Sequence, residues 1–259
     1  MRKGLAHAIA ALLIVTACGR AGPLSDMEPG ERGRVVRIID GDALVLDTGQ
    51  SVRLVGLEAP AMNWRNNDPD PFAEDASRML EDMVMGREVR LFYPGLTRDR
   101  YDRALAHVET ADAKGPHVWV NEEMLRRGGA RLRVYPDTSA GSDTLVQAER
   151  QARSDRSGLW KDAAYLPLKA SAINLDTRGF LIVLAELGGE ESVPEGNYGA
   201  RPACARSTAD RALVIDIARS AETLCNLPVG VVGEFRGWVS GGRLDLVHPL
   251  HFKSQSPED

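Results

Sequence analysis

The chain has 259 residues, which is enough for two compact domains of ordinary size. Hydrophobic residues make up 43% and charged residues 27% of the sequence, a balance that excludes a disordered or fibrous protein. The formal net charge of −5 excludes attraction of nucleic acid by a global positive field, so any polyanion site must be a local basic cluster. Three cysteines are too few for a disulfide-stapled miniprotein.

The first 17 residues are predicted to be a signal peptide. Arg2 and Lys3 precede an apolar run at 5–17, which is too short to cross about 30 Å of hydrocarbon as a helix. The run leads to Cys18 through a segment that looks like a lipobox, in which small residues suit the peptidase and the cysteine sulfur accepts a lipid. An ordinary signal peptide followed by an incidental cysteine is the alternative.

Residues 18–32 are predicted to be a lipidated, flexible tether, because they combine Gly, Pro and charged residues with few apolar ones. Acyl chains on Cys18 would anchor the protein to a membrane. Gly19 stands where an Asp would favour the inner membrane, so the outer membrane is favoured. We therefore expect a cell-envelope protein whose domains face the periplasm.

Residues 33–162 are predicted to form one domain of short strands and three helices. Alternating apolar residues predict strands at 35–39, 43–46, 51–57, 88–93, 103–109 and 130–135. Apolar residues at helical spacing predict a helix at 72–85. A second helix is expected at 119–127, before two glycines, and a third, mostly polar one at 143–156, after capping residues at 142–143. This order favours a mainly β fold with added helices (α+β), namely an OB-like five-stranded barrel with helical cover.

Residues 168–255 are predicted to be a second, smaller all-β domain. Strands are expected at 179–185, 212–217, 229–239 and 243–247, the last two forming a hairpin. Arg236 and Trp238 would share one face of their strand. Together they could hold single-stranded nucleic acid or a glycan; the alternative places Trp238 in the core and Arg236 at its rim.

Two cysteines remain if Cys18 carries lipid. Cys204 and Cys225 flank the strand predicted at 212–217. In an oxidising periplasm a bridge between them, closing about 20 residues, would stabilise the fold by roughly 3 kcal/mol. Two unpaired thiols are the alternative.

Four short motifs in the first domain resemble the thermonuclease (staphylococcal nuclease-like) family. They are Ile-Asp-Gly-Asp at 39–42, Arg-Leu-Val-Gly-Leu-Glu-Ala-Pro at 53–60, Arg-Asp-Arg-Tyr-Asp-Arg at 98–103 and Gly-Leu-Trp at 158–160. The resemblance covers about 33–162 and implies an OB-like barrel with calcium-dependent hydrolysis of DNA and RNA phosphodiesters. The second domain is reminiscent of an OB-like module appended to some bacterial members.

The resemblance implies a calcium site. Asp42 and Glu58 fall on the two metal carboxylates, and Ala59 falls where a backbone carbonyl is the third ligand. Oxygen ligands of this kind suit calcium rather than zinc. Glu58 is one methylene longer than the usual Asp, which would shift the metal geometry.

The resemblance also implies a phosphate site. Arg53 and Arg103 fall on the two phosphate-binding arginines, whose forked donors match phosphate oxygens. Tyr101, two residues before Arg103, could assist with a hydrogen bond. Asp99 is expected to be an ion-pair partner that stabilises the loop. A nucleic acid or nucleotide is the expected partner.

One position departs from the family pattern: Ala61 stands where the general-base Glu belongs. Losing a positioned base typically lowers the rate by about 10²–10⁴. Glu74 or Asp68 could replace it. The expectation is a nuclease whose hydrolysis is weak or lost; the alternatives are a non-catalytic nucleic-acid-binding protein and a purely structural envelope lipoprotein.

Several further residues could be mistaken for functional ones. The four histidines after the signal peptide show no metal-ligand spacing and are expected to be structural or solvated; they are His107, His117, His248 and His251. Trp64, in the polar loop 61–71, is expected either to stack on a base or to anchor that loop.

Overall fold

A computed structural model of the chain describes residues 22–62, 68–113, 115–193 and 201–255. The signal peptide, Cys18 and Trp64 lie outside the described residues. Within these ranges no helix has the length and apolar character needed to cross a bilayer.

The first half of the chain carries a closed barrel and its helices. The strands are β1 (Glu28–Asp40), β2 (Ala43–Leu46), β3 (Ser51–Leu54), β4 (Leu57–Glu58), β5 (Glu88–Tyr93), β6 (Ala104–Thr110) and β7 (Arg131–Leu132). The helices are α1 (Ala73–Val84), α2 (Val120–Arg126) and α3 (Ser142–Ser154). The barrel closes in the order β1-β2-β3-β6-β5, with β3 and β6 parallel. The predicted OB-like barrel with three helices is confirmed.

The helix predicted at 72–85 is α1. Its buried residues include Ala76, Leu80 and Met83, which repeat at helical spacing and pack into the core of the barrel. Gly86 follows with a positive φ of 72°, a conformation that glycine adopts without steric cost. The amphipathic pattern therefore locates both the helix and its end.

The first strand begins earlier than the sequence indicates. Residues 28–32 were assigned to the tether, whereas β1 starts at Glu28 and pairs with β5, Pro29 lying opposite Phe92. Leu24 and Met27 are also buried against the barrel. The predicted tether therefore ends too late, because this segment pairs with β5 and buries Leu24 and Met27 against the barrel.

The second half of the chain carries another closed barrel. Its strands are β8 (Leu168–Lys169), β9 (Gly179–Glu191), β10 (Cys204–Thr208), β11 (Val214–Ile217), β12 (Val232–Ser240), β13 (Arg243–Leu246) and β14 (Phe252–Ser254). Pairing of β12 with β9 closes the ring β9-β10-β11-β13-β12, and β11 runs parallel to β13. Both barrels therefore share one connectivity, in which the third strand pairs in parallel with the fifth.

Short 3-10 helices connect these elements. They span Pro136–Thr138, Gly158–Lys161, Ala163–Tyr165, Ala170–Ala172, Arg219–Asn226 and Pro249–His251. Trp160 of the Gly-Leu-Trp motif is buried between the two halves of the chain. Cys204 and Cys225 form a disulfide that joins the start of β10 to the 3-10 helix Arg219–Asn226.

The barrels contact each other through buried ion pairs. Arg236 of β12 donates to both carboxylate oxygens of Glu149 on α3, at 2.9 and 2.8 Å, and both side chains are almost fully buried. Arg153 and Glu234 form a second two-pronged pair at 2.7 Å. The alternative that placed Arg236 at a rim and Trp238 in the core is wrong, because Arg236 is buried whereas Trp238 is 45% exposed.

Candidate active site

Asp42 is held at the turn between β1 and β2. Its backbone N–H donates to Asp40 Oδ1 at 3.0 Å, and its own Oδ2 accepts from the backbone N–H of Ala59 at 2.8 Å. Gly41 permits this approach, since a Cβ there would lie 2.7 Å from the Cβ of Ala59. Asp42 is only 2% exposed, so its carboxyl faces the protein interior.

Arg53 of β3 joins the two predicted metal carboxylates. Its Nη1 lies 2.6 Å from Asp42 Oδ1, and its Nη2 donates to Glu58 Oε2 at 2.7 Å. The two carboxylates therefore converge on one guanidinium. Among the residues predicted for the site, Asp42 and Glu58 are thus linked by their shared contact with Arg53.

Arg133 is a further arginine of this cluster that the sequence did not single out. The β4–β7 ladder places Glu58 opposite Arg131, and Arg133 Nη1 donates to Glu58 Oε2 at 2.7 Å. Arg133 also donates to the hydroxyl of Tyr135. The alternation of arginines at 131 and 133, within the strand predicted at 130–135, was the available signal.

Tyr101 lies in the loop before β6, and Arg103 is the last residue of that loop. The backbone N–H and Nε of Arg103 donate to the carboxylate of Asp99, at 3.0 and 2.7 Å. The predicted ion-pair role of Asp99 is therefore confirmed. Tyr101 is 65% exposed, and the Arg103 guanidinium carbon lies 5.7 Å from its ring centre.

These groups line one cavity of about 700 Å³. Arg53, Glu58, Arg103 and Tyr101 all contribute to its wall, whereas the buried Asp42 contacts it through Arg53. Of the described residues of the second barrel, Trp238 alone lines the cavity. The cavity thus collects the predicted phosphate-binding side chains, although their roles in catalysis stay predictions.

The buried carboxyl of Asp42 has an unusual environment. Burial raises the pKa of Asp42 well above its ordinary value, and the neighbouring Asp40 and Glu58 raise it further, while Arg53 opposes them. Burial lowers the pKa of Arg53, but the charges of Asp42 and Glu58 outweigh it and raise the value overall. A second cation beside Asp42 would favour its charged form.

The donor set is compatible with a hard cation. Oδ1 of Asp42 is buried in its ion pair with Arg53, and Glu58 contacts the same guanidinium, so both carboxylates present hard oxygen atoms at one point. Among the described residues no group of three His, Cys, Asp or Glu side chains is placed to hold a metal ion. Calcium takes six to eight oxygen ligands, so two carboxylates and the Ala59 carbonyl would need waters to complete the shell.

Residue 61 offers no side-chain base. Ala61 is exposed, its N–H donates to Asp70 Oδ2 at 3.0 Å, and its carbonyl accepts from the Asp70 N–H at 2.9 Å. Glu74 does not replace the missing carboxyl, since it is exposed on α1 and pairs with Arg78. Asp68 is exposed and does not line the cavity. The sequence did not single out Asp70, the carboxylate beside residue 61.

Two of the histidines are buried structural groups. His107 accepts from the indole N–H of Trp119 at 3.2 Å and faces the carbonyl of Ala140 at 3.1 Å. Burial lowers its pKa to about 4, so the ring is neutral at pH 7. His251 accepts from the backbone N–H of Val134 at 3.0 Å, and burial lowers its pKa to about 3. Neither belongs to the cavity.

Fold and cavity together define an OB-barrel protein with a cavity lined by arginines and carboxylates. The family model described as Staphylococcal nuclease homologue matches residues 51–162. The thermonuclease of Staphylococcus intermedius is 30% identical over 135 residues, 51% of this chain and 77% of that protein. The thermonuclease of Staphylococcus hyicus is 29% identical over 132 residues, 50% of this chain and 75% of that protein.

An uncharacterized endonuclease of Escherichia coli O157:H7 is 34% identical over 138 residues, 52% of this chain and 80% of that protein. The chain therefore belongs to the staphylococcal nuclease family, in agreement with the resemblance of its motifs. These relatives match about half of the chain, and the family model ends at residue 162, before the second barrel begins.

Proposed function

We propose that the chain binds a nucleic-acid phosphodiester in the 700 Å³ cavity with the help of calcium, and hydrolyses it slowly. The contact of Arg53 with both Asp42 and Glu58 carries this proposal, because it brings a phosphate donor and two hard oxygen ligands to one point. The name thermonuclease, which two relatives bear, supports the same reaction.

Each side chain has a defined task in this proposal. Asp42, Glu58 and the carbonyl of Ala59 would hold calcium, which supplies a Lewis acid that polarises a phosphoryl oxygen. Arg53 and Arg103 present forked N–H donors to the phosphate oxygens, where charge develops during displacement. Their carboxylate partners keep both guanidinium groups oriented before the substrate binds.

Slow turnover follows from residue 61. With Ala61 in place of a carboxylate, no side chain at this position orients or deprotonates the attacking water. The rate is expected to be about 10²–10⁴ below that of a site with such a base. The same observation favours the second candidate function, a nucleic-acid-binding protein that has lost hydrolysis.

Calorimetric binding of thymidine 3′,5′-bisphosphate to the full chain, with calcium and with chelator, tests the site. We expect calcium-dependent binding that Asp42→Asn abolishes and that Arg103→Ala weakens about 10- to 100-fold, the effect of losing charged hydrogen bonds. Asp82→Asn and Arg37→Ala are matched controls, since both residues are exposed and lie away from the cavity. Equal binding by all four variants would contradict the proposed site.

Cleavage of a single-stranded DNA oligonucleotide separates the two candidate functions. Slow, calcium-dependent cleavage supports the enzyme, while binding without any cleavage supports the binding protein. Rapid cleavage by the unaltered chain would contradict the role assigned to Ala61.

We also propose that the chain is an envelope lipoprotein, anchored to a membrane through lipid on Cys18 with its barrels in the periplasm. The lipobox-like segment supports this, as does the Cys204–Cys225 disulfide, which suits an oxidising compartment. Incorporation of labelled palmitate should be lost in Cys18→Ala and kept in Cys204→Ser. Equal labelling of both variants would refute the anchor.

A further inference from the structure

The second barrel places one aromatic side chain at the edge of the cavity. Trp238 lies on β12, opposite Phe180 of β9, and its ring is 45% exposed. The guanidinium carbon of Arg133 lies 5.7 Å from the centre of this ring, and Arg133 in turn binds Glu58. Trp238 is thus connected to the carboxylate cluster through a single side chain.

The interface between the barrels holds Trp238 in this position. Arg236, two residues earlier on the same strand, is buried and paired with Glu149. Its Nη1 also donates to the carbonyl of Leu132, directly before Arg133. Because residues two apart share a face of a strand, the ion pair that fixes Arg236 also directs Trp238 toward the first barrel.

The cavity wall combines charge with exposed rings. Five arginines and three acids line it, namely Arg53, Arg98, Arg100, Arg103 and Arg133 with Glu58, Asp99 and Asp137. Three aromatic side chains of the wall are exposed, namely Tyr101, Tyr135 and Trp238. The chain has a net charge of −5, so the cavity wall is a local basic surface that also carries exposed aromatic side chains. Proteins bind single-stranded nucleic acid with this combination.

We propose that the second barrel completes the substrate cleft and that Trp238 stacks on a nucleobase of a single-stranded nucleic acid. The inference rests on the proposed function: Arg53 and Arg103 hold a phosphate, and a neighbouring base lies on the indole ring. A duplex fits this arrangement poorly, since its bases are stacked on one another and a side chain reaches their faces only after unstacking them. Stacking on Trp238 therefore requires an unpaired base.

Two probes of equal charge separate stacking from phosphate binding. A labelled thymidine octanucleotide and an octamer of abasic deoxyribose phosphates present the same backbone, and only the first carries bases. Binding of the full chain to each is measured by fluorescence anisotropy with calcium present, over times short compared with the slow cleavage. We expect the unaltered chain to bind the thymidine octamer more tightly than the abasic one.

The variants assign that difference to a residue. Trp238→Ala should weaken binding of the thymidine octamer about tenfold and leave the abasic octamer unchanged, whereas Trp238→Phe should retain most of the affinity. Arg103→Ala should weaken both probes by the same factor. Val229→Ala, an exposed position on the second barrel outside the cavity, is the matched control and should change neither.

Each contrary result has a distinct meaning. Equal weakening of both probes by Trp238→Ala would show that the ring only supports Arg133 and would overturn stacking. Unchanged binding of the thymidine octamer, or equal binding of both probes by the unaltered chain, would overturn it as well. Failure of the unaltered chain to bind either probe would reject the proposed function itself. Trp238→Phe keeps the test valid if the alanine variant does not fold.

Discussion

Ala61→Glu should restore fast hydrolysis. Ala61 is exposed, and its backbone N–H and carbonyl are both hydrogen-bonded to Asp70, so a longer side chain requires no repacking of the core. The free energy of unfolding should therefore change by less than about 0.5 kcal/mol, as for other surface substitutions. A positioned general base raises a rate by about 10²–10⁴, which lowers the barrier by roughly 3–5 kcal/mol.

The gain should depend on pH. The carboxylate of Asp70 lies within hydrogen-bond distance of the residue 61 backbone, and a like charge raises the pKa of the introduced carboxyl. The rate ratio of the variant to the unaltered chain should accordingly increase from pH 5 toward pH 8. Removing the Asp70 charge with Asp70→Asn should shift this increase to lower pH.

The assay is single-turnover cleavage of an end-labelled single-stranded oligonucleotide with calcium, quenched with chelator. Ala61→Gln is the matched control, because it has the same size and cannot accept a proton, and it should give no gain. If Ala61→Glu binds the oligonucleotide as the unaltered chain does and cleaves no faster, a missing base at residue 61 is not what limits the rate.

Two further predictions concern stability. Glu149→Gln should lower the free energy of unfolding by about 3–5 kcal/mol, because it leaves the buried charge of Arg236 without its partner. Asp75→Asn, in an exposed ion pair, should lower it by less than about 1 kcal/mol. Urea unfolding measures both losses, and similar values would contradict a special contribution from the buried pair. Burial lowers the pKa of His107 to about 4 in the folded protein, against about 6.5 in the unfolded chain. Protonation of His107 therefore leaves the free energy of unfolding unchanged above pH 6.5 and lowers it by up to about 3 kcal/mol between pH 6.5 and 4. His107→Gln should flatten this decline, and an unchanged slope would assign it to other groups.

Helices and strands with a clear apolar repeat were predictable, because the spacing of apolar residues along the chain indicates which side of an element is buried. The predicted helix at 72–85 coincides closely with α1, and the strand predicted at 88–93 is β5. β10 was not predicted, because Arg206 is buried in it and interrupts the apolar alternation. Its guanidinium donates to the carbonyls of Gly188 and Leu227, partners that the pattern of neighbouring residues does not reveal.

The sequence predicted those site residues that belong to a recognisable motif. Asp42, Arg53 and Glu58 stood in recognisable runs, and the structure brings them into contact. Arg133 and Trp238 carried no motif. Their place in the cavity depends on the β4–β7 ladder and on the packing of two barrels, which are contacts between segments far apart in the chain.

The amino-acid order alone determined the family, the barrel and the absence of a carboxylate at residue 61, because each of these depends on residue type at a given position. Tertiary structure alone decided that Arg236 is buried while Trp238 is exposed beside the cavity. An arginine on a strand has the same local pattern whether it faces water or a buried carboxylate. An arginine is buried only where a partner offsets the free energy of removing the guanidinium from water. For Arg236 that partner is Glu149, 87 residues away in the chain.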